Sequence, residues 1–266
     1  MGSLNEIMNL MEEIAPLGLA QSWDNCGLQV GDPFQEIKKI TISLDPDWDS
    51  VNKSVSNGSN LLITHHPLFF SKLKSFDFST VFGKLVRKAV KNDLAVYSAH
   101  TNLDSVRPGL NDFFLKKLGF EAGPPILPFS GKDEINGLGR ISYLENEVFC
   151  LDFAAEVKKK LNIETLRISG CNNLSSNLIG VCTGSGASLM EEAARMGVKI
   201  FITGDVKYHE AQLASEIGIC LIDAGHYGTE KIVCELLKER LDISMKNSGL
   251  NVETEIFYNQ DVFFNF

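Results

Sequence analysis

The segment NLLITHHP, residues 60–67, decides the fold class because it joins a short apolar run to two histidines and a proline. A run of this length, bounded by polar residues, is typical of a buried β-strand. The same pattern recurs along the chain, with longer segments of helical spacing between the runs. The predicted strands are residues 38–44, 60–64, 94–98, 139–144, 178–183, 198–203, 219–223 and 254–257.

Helical segments separate these strands. In the first of them Leu4, Ile7 and Leu10 recur at helical spacing, and Pro16 follows its end. The predicted helices are residues 4–15, 47–56, 80–91, 109–118, 151–160, 187–196, 207–216 and 229–240. Strands that alternate with helices of this length predict βαβ units, and therefore an α/β fold with largely parallel strand pairing.

Landmarks in the first half of the chain return in the second half. Gly58 matches Gly197 and Thr64 matches Thr203, both at an offset of 139 residues. The segment 121–138 contains prolines and glycines without clear periodicity, which is typical of a boundary. The sequence therefore predicts two similar α/β lobes. Their predicted limits are residues 1–128 and 129–266.

Composition restricts the class of function. The 266 residues are 44% hydrophobic and 22% charged, as in an ordinary globular protein. The net charge of −9 disfavours nucleic-acid binding driven by phosphate neutralisation. No apolar stretch approaches the ~20 residues of a membrane span, and the first residues do not have the pattern of a signal peptide. We therefore expect a cytoplasmic protein without membrane partners.

The five histidines all follow predicted strands. They are His65, His66, His100, His209 and His226, each within a few residues of a strand's carboxyl end. Ligands of open α/β sheets bind outside the carboxyl ends of the strands. The placement of the histidines therefore predicts a functional site at this edge.

Two histidine–carboxylate pairs indicate metal binding. His226 and Glu230 are four residues apart, and so are His100 and Asp104, a spacing that one helical face can present. One such pair alone is also compatible with a solvated ion pair. Two pairs together with the adjacent His65 and His66 favour a site for Zn, Fe, Mn or Ni.

The number of candidate ligands points to two metal ions. A single catalytic zinc takes three or four protein ligands. This chain offers five: His65, His66, Asp104, His226 and Glu230. A carboxylate that bridges two ions would allow them to share an activated water, and Glu230 has the reach for that role.

Three further segments remain open to two interpretations each. The run TGSG, residues 183–186, is compatible with a phosphate cradle or with a tight turn. In the run GDVKYHE, residues 204–210, the polar groups can bind substrate or move protons, whereas Asp205 can also simply cap a helix. The loop Trp23-Asp24-Asn25 can line a pocket or pack structurally.

Six segments together resemble the GTP cyclohydrolase I type 2 family, also called the NIF-three-like family. They are WDNCGLQVGDP (23–33), ITHHPLFF (63–70), AHTNLD (99–104), GRI (139–141), ITGDVKYHEA (202–211) and DAGHYGTE (223–230). The resemblance implies two similar α/β lobes with a dinuclear metal site in the cleft between them. It also implies a toroidal homohexamer built as a trimer of dimers.

By motif match, the resemblance implies that His65, His66, Asp104, His226 and Glu230 bind the metals. His100 would lie near them as an extra ligand or a proton-transfer group. The implied reaction opens the guanine ring of GTP with a metal-activated water, giving formate and 7,8-dihydroneopterin triphosphate. His100 or His209 would move protons, and Lys207 and Arg140 are candidates for binding the triphosphate.

Two other functions need the same ligands and stay open at this point. One is a phosphoesterase or other nucleotide hydrolase with a metal pair. The other is a metal-binding, ring-shaped scaffold protein without turnover. The apolar runs Phe69-Phe70 and Phe263–Phe266 are compatible with either core or interface positions.

Overall fold

The computed structural model describes residues 2–70, 75–130, 135–170 and 173–264, so Phe266 lies outside the described residues. Within these ranges the strands are β1 (Gly2–Ser3), β2 (Gly27–Val30), β3 (Glu36–Ile37), β4 (Lys39–Ser43), β5 (Leu61–Thr64), β6 (Ala95–Ser98), β7 (Leu127–Pro128), β8 (Gly137–Leu138), β9 (Arg140–Phe149), β10 (Arg167–Ser169), β11 (Ser175–Val181), β12 (Ile200–Thr203), β13 (Cys220–Asp223) and β14 (Glu253–Ile256).

The α-helices of the same ranges are α1 (Leu4–Ile14), α2 (Trp48–Ser56), α3 (Val81–Lys91), α4 (Thr101–Ser105), α5 (Leu110–Leu118), α6 (Cys150–Leu161), α7 (Met190–Arg195), α8 (Tyr208–Ile217), α9 (His226–Glu230) and α10 (Val233–Asn247). Each predicted strand and helix is present with shifted ends, so the predicted α/β class is confirmed. In the part of the chain that the structure describes, no helix combines the length and apolarity needed to cross a membrane.

One compact unit comprises Met1–Leu103 and Lys231–Gln260. Its main sheet has the order β14-β4-β5-β6-β2, in which the first four strands are parallel and β2 is antiparallel to β6. Helices α2 and α3 pack on this sheet through a core that includes Val51, Leu62, Leu85, Ala89 and Val96. The burial of these apolar side chains is the main stabilising contribution.

The antiparallel strand β2 has a consequence for function. Its first residue, Gly27, pairs with Ser98, the last residue of β6. The loop that precedes β2 therefore lies at the carboxyl end of β6, where the predicted site is located.

The second compact unit comprises Asp104–Glu230 and Asp261–Phe266. Its main sheet has the order β10-β13-β12-β11-β9, with three parallel central strands and an antiparallel strand at each edge. Each unit thus has three successive parallel strands and an antiparallel strand beside the third. This shared arrangement agrees with the prediction of two similar lobes.

The limits of the units differ from the predicted limits at residues 128 and 129. Strand β14 pairs with β4, from Glu253–Lys39 to Ile256–Ile42, and helix α10 packs against α1. The segment Lys231–Gln260 therefore belongs to the first unit, although it lies late in the sequence. Periodicity alone gave no sign of this return, because strand pairing is a long-range contact.

Candidate metal centre

Three of the predicted site residues form a cluster in the first unit. His65 and His66 follow β5, and His100 follows β6, so parallel pairing brings them to one edge of the sheet. The ring centroid of His65 lies 5.3 Å from that of His66 and 5.1 Å from that of His100, and the His66–His100 distance is 5.6 Å. Each ring offers a nitrogen within 4.8 Å of the other two, which is close enough for a common metal ion.

Adjacent residues reach the same site because the strand has ended. Strand β5 stops at Thr64, whose hydroxyl donates to the carbonyl of His66 over 2.7 Å. The amide of His66 donates to the carbonyl of Leu44 at 3.0 Å. The alternation of side chains across a strand therefore no longer applies to His65 and His66.

Each of these imidazoles uses its Nδ1 atom to contact an oxygen. The pairs are His65 with the carbonyl of Ala99 at 2.8 Å, His66 with Asp45 at 2.6 Å, and His100 with Asp24 at 2.9 Å. A carbonyl or carboxylate oxygen accepts, so Nδ1 carries the proton in each pair. The neutral ring then has its lone pair on Nε2, the arrangement that metal-binding histidines use.

Asp24 is a carboxylate that the sequence analysis did not assign to the metal site. Its side chain is fully buried and accepts from the amide of Thr101 at 3.1 Å and from the thiol of Cys26 at 3.0 Å. Burial opposes ionisation, but the hydrogen bonds from His100 and Thr101 hold the pKa of Asp24 well below its ordinary value. Asp24 is therefore charged at neutral pH and orients His100.

The predicted pair His226 and Glu230 is present in the second unit. Both lie in α9, and Nε2 of His226 is 2.8 Å from Oε2 of Glu230. Nδ1 of His226 contacts Oδ2 of Asp205 at 2.7 Å. Nδ1 of this fourth imidazole thus faces an oxygen acceptor as in the other three, and its Nε2 faces the Glu230 carboxylate.

Asp104 lies in α4 and is assigned to the second unit. Burial raises the pKa of the Cys182 thiol, and the charges of Asp104 and Glu230 raise it further. Asp104 and Glu230 belong to the same unit, and their joint role as metal ligands stays a prediction.

The turn at residues 183–186 packs against Glu230. The amide of Gly184 donates to Thr229 and the amide of Gly186 donates to Thr203, each at 2.9 Å. A Cβ atom on Gly184 would lie 2.0 Å from Oε1 of Glu230. Occupied amides and an adjacent carboxylate disfavour an anion, so the structure favours the tight-turn interpretation over the phosphate cradle.

The polar side chains of segment 204–210 have different roles. The carboxylate of Glu210 accepts from the amide of Lys207 at 2.8 Å and so caps α8. Asp205 contacts His226 instead of capping this helix. His209 is exposed in the first turn of α8, where its ring lies 5.5 Å from that of Tyr208. The proton-transfer role of His209 stays a prediction.

Arg140 is wrongly predicted as a candidate for binding the triphosphate. Its side chain is fully buried, and its guanidinium donates to the carbonyls of Gly137 at 2.6 Å and Gly139 at 2.8 Å. It also forms an ion pair with Asp112 at 3.2 Å. Arg140 therefore fixes the local backbone and does not face a ligand.

The donor set fits divalent metal ions. Imidazole nitrogens and carboxylate oxygens together suit Zn, Fe, Mn or Ni, and orienting carboxylates are typical of such sites. The sequence contains a signal for the three aspartates that contact the histidines. Asp45 and Asp205 follow strands, and Asp24 precedes one. Their pairing with particular histidines depends on strand order.

Comparisons with known proteins agree on one group. A family model described as Duf34/NIF3 (NGG1p interacting factor 3) matches residues 3–261. A Clostridium acetobutylicum protein named GTP cyclohydrolase 1 type 2 homolog is 34% identical over 258 residues, which are 97% of this chain and 96% of that protein. A protein of the same name from Clostridium perfringens is 38% identical over 243 residues, which are 90% of this chain and 92% of that protein.

A solved structure has the same fold. Staphylococcus aureus hypothetical protein SA1388 matches with a TM-score of 0.92 at 28% sequence identity, and the match covers 99% of both chains. This likeness supports the α/β architecture described above over its whole length.

Proposed function

Because this chain belongs to the Duf34/NIF3 family, we propose that it is a metal-dependent hydrolase that opens the guanine ring of GTP. The products would be formate and 7,8-dihydroneopterin triphosphate. The observation that carries the proposal is the orientation of four histidines, His65, His66, His100 and His226, each with Nδ1 on an oxygen acceptor. The name of the curated relatives, GTP cyclohydrolase 1 type 2 homolog, supports the choice of substrate.

The proposed ligands of two divalent metal ions are His65, His66, Asp104, His226 and Glu230. Glu230 is proposed as the bridging carboxylate. Zn, Fe, Mn and Ni all suit this donor set. When bound, such a metal pair supplies a water of lowered pKa and polarises the substrate as a Lewis acid.

His100 is proposed to move the proton at its Nε2 atom. Asp24 accepts the Nδ1 proton of this ring, so the lone pair that can take a proton lies on Nε2. Nε2 would take a proton from the attacking water and return it to the ring nitrogen that leaves C8 of guanine, which gives a formamide. A second water would then cleave the remaining C8–N bond and release formate, and closure of the pterin ring would return one water. His209 is proposed as a second proton-transfer group.

We also propose that the chain assembles as a toroidal homohexamer, on the basis of the family resemblance.

The first test measures metal content and product together. Elemental analysis of the purified protein is combined with an assay for formate release from GTP, with and without a chelator. We expect about two metal ions per chain and formate release that the chelator abolishes. The variant Glu230→Gln keeps the shape of the side chain and should lose the metal pair and the activity. The exposed Glu216 gives the control Glu216→Gln, which should change neither.

The same measurements distinguish the proposed reaction from the two other candidate functions. Release of phosphate without formate would identify a phosphoesterase or another nucleotide hydrolase. Two metal ions with no turnover would favour the non-catalytic scaffold. A protein that takes up no Zn, Fe, Mn or Ni on reconstitution would refute the ligand assignment.

A further inference from the structure

Two exposed aromatic side chains flank His100 in the first unit. The rings of Trp23 and Phe70 are 62% and 61% exposed. The ring of Trp23 lies 6.1 Å from that of His100 at an interplanar angle of 75°, and Phe70 lies 6.0 Å from it at 88°. Both aromatic rings therefore stand edge-on to the same imidazole.

The backbones beside these rings are held firmly. Asp24, next to Trp23, is buried and bonded to His100 and Thr101. The side chain of Asn25 donates to the carbonyl of Phe69 at 2.9 Å, which links the two aromatic segments. The loop is therefore positioned by several hydrogen bonds while the rings themselves stay in contact with solvent.

The two consecutive phenylalanines have opposite environments. Phe69 packs on the core of the unit, with its ring 5.1 Å from that of Phe82. Phe70 points outward, beside His100. The core thus fixes the position of Phe70 without covering it.

We propose that Trp23 and Phe70 bind the purine base of the nucleotide by stacking, which places the base beside His100. This inference rests on the proposed function, since it names the part of the substrate that these rings contact. Single exposed aromatic residues are common on protein surfaces. Here, however, two exposed rings are fixed against the same imidazole of the histidine cluster. Rings placed in this way can stack on a flat heterocycle.

Tryptophan fluorescence tests the role of Trp23 directly. The chain has two tryptophans, and the variant Trp48→Phe leaves Trp23 as the single tryptophan, whose emission is excited selectively at the red edge of the absorption band. This protein is mixed rapidly with guanosine, GTP or inorganic tripolyphosphate, and its emission is recorded before turnover. We expect saturable quenching by guanosine and GTP, and none by tripolyphosphate.

Phe70 is tested in the same background. Phe70→Ala should weaken GTP binding by about 5- to 150-fold, the range that the loss of one stacking partner produces. Phe34 is also exposed, at 87%, and Phe34→Ala is the control that should bind GTP as before. Phe70→Leu retains apolar volume without an aromatic face, so it should also bind weakly and replaces Phe70→Ala if that variant does not fold.

Three results would overturn the inference. One is the absence of saturable quenching by guanosine and GTP. Another is equal GTP affinity in Phe70→Ala and Phe34→Ala. The third is a Trp23→Ala, Phe70→Ala double variant that changes oligomeric mass but keeps its GTP affinity, because these rings would then contact protein.

Formate release distinguishes this inference from the proposed function. If GTP quenches Trp23 and no formate forms, base stacking stands and ring opening fails. If formate forms and Phe70→Ala has an unchanged KM, ring opening stands and base stacking fails.

Discussion

At the scale of single residues, aspartates determine what the histidines can do. His66, His100 and His226 each donate from Nδ1 to an aspartate, and the backbone carbonyl of Ala99 has this role for His65. The acceptor fixes the tautomer and the direction of the ring. Sequence motifs that contain only the histidines therefore omit the oxygen acceptors that orient them.

Replacing Asp205 tests this orienting role. Asp205 has φ of 55°, a left-handed conformation that asparagine tolerates well, so Asp205→Asn keeps the backbone and the acceptor oxygen but removes the charge. We expect metal affinity to fall by roughly 10- to 100-fold, measured by competition with a chromophoric chelator. Asp152→Asn, at an exposed position of α6, should bind metal normally. Unchanged affinity in Asp205→Asn would contradict the role.

Gly184 offers a second test at this scale. Gly184→Ala should cost roughly 1 kcal/mol or more from its positive φ of 63° and should also displace Glu230, whose carboxylate would clash with Cβ. Metal content should therefore fall. Gly218→Ala has a similar φ of 73° with nothing within 4 Å of the added Cβ, so it should lose stability but keep its metal. Equal metal content in the two variants would show that metal binding does not need the close approach of Gly184 to Glu230.

Arg140 is a structural residue by the same reasoning. Arg140→Met removes the buried guanidinium that pairs with Asp112 and donates to several carbonyls. We expect a loss of about 3–5 kcal/mol in the free energy of unfolding, measured with urea. Arg107→Met removes a more exposed partner of Asp112 and should cost less. A stable Arg140→Met protein with weakened GTP binding would restore the phosphate-binding interpretation.

At the scale of elements, ion pairs attach the late strand β14 to the first sheet. Glu255 on β14 contacts Lys39 on β4 at 2.9 Å and Lys53 on α2 at 2.8 Å. The hydrogen bonds to Lys53 and Lys39 lower the pKa of Glu255 from 4.5 to about 2. Because this pKa is depressed in the folded state, the stabilisation is present above pH 4.5 and is lost as the pH falls towards 2.

The variant Glu255→Gln tests this attachment. At pH 7 it should be less stable than the wild type by about 0.5–1 kcal/mol, since the pairs are partly exposed. The difference should shrink as the pH is lowered from 4.5 towards 2, the interval between the two pKa values, and also at high salt. Urea unfolding at several pH values measures it. Among the residues that the structure describes, Glu253 has one ion pair, to Lys39, so Glu253→Gln should show a smaller difference. A pH-independent difference would exclude the ion pairs as its cause.

At the scale of the whole molecule, both units repeat one plan. Each has three successive parallel strands whose carboxyl ends are followed by polar residues. The first unit presents three imidazoles there, and the second presents an imidazole with carboxylates. The repeated plan explains why the sequence landmarks recur in the same order in both halves of the chain.

The proposed homohexamer belongs to this scale too. Light scattering coupled to size-exclusion chromatography should give six times the mass of one chain. Phe263 and Phe264 are strongly exposed in the described chain, so Phe263→Ser with Phe264→Ser should lower this mass if they lie at an interface. Phe34→Ser is the control at another exposed position. A monomeric wild-type protein would refute the assembly.

The sequence by itself determined the elements and the family. Alternating apolar runs and helical segments predicted the strands and helices, since this periodicity is a local property of the chain. Histidine placement after strands predicted the metal site, and the spacing of His226 and Glu230 predicted their contact on α9. Family motifs predicted the group to which the chain belongs.

Only the tertiary structure decided which distant residues meet. The antiparallel pairing of β2 with β6 brings Asp24 to His100, and the pairing of β14 with β4 returns the late segment to the first unit. Arg140, a charged residue in a motif, is buried among carbonyls. Strand order and burial depend on the packing of the whole chain, so no local pattern of residues specifies them.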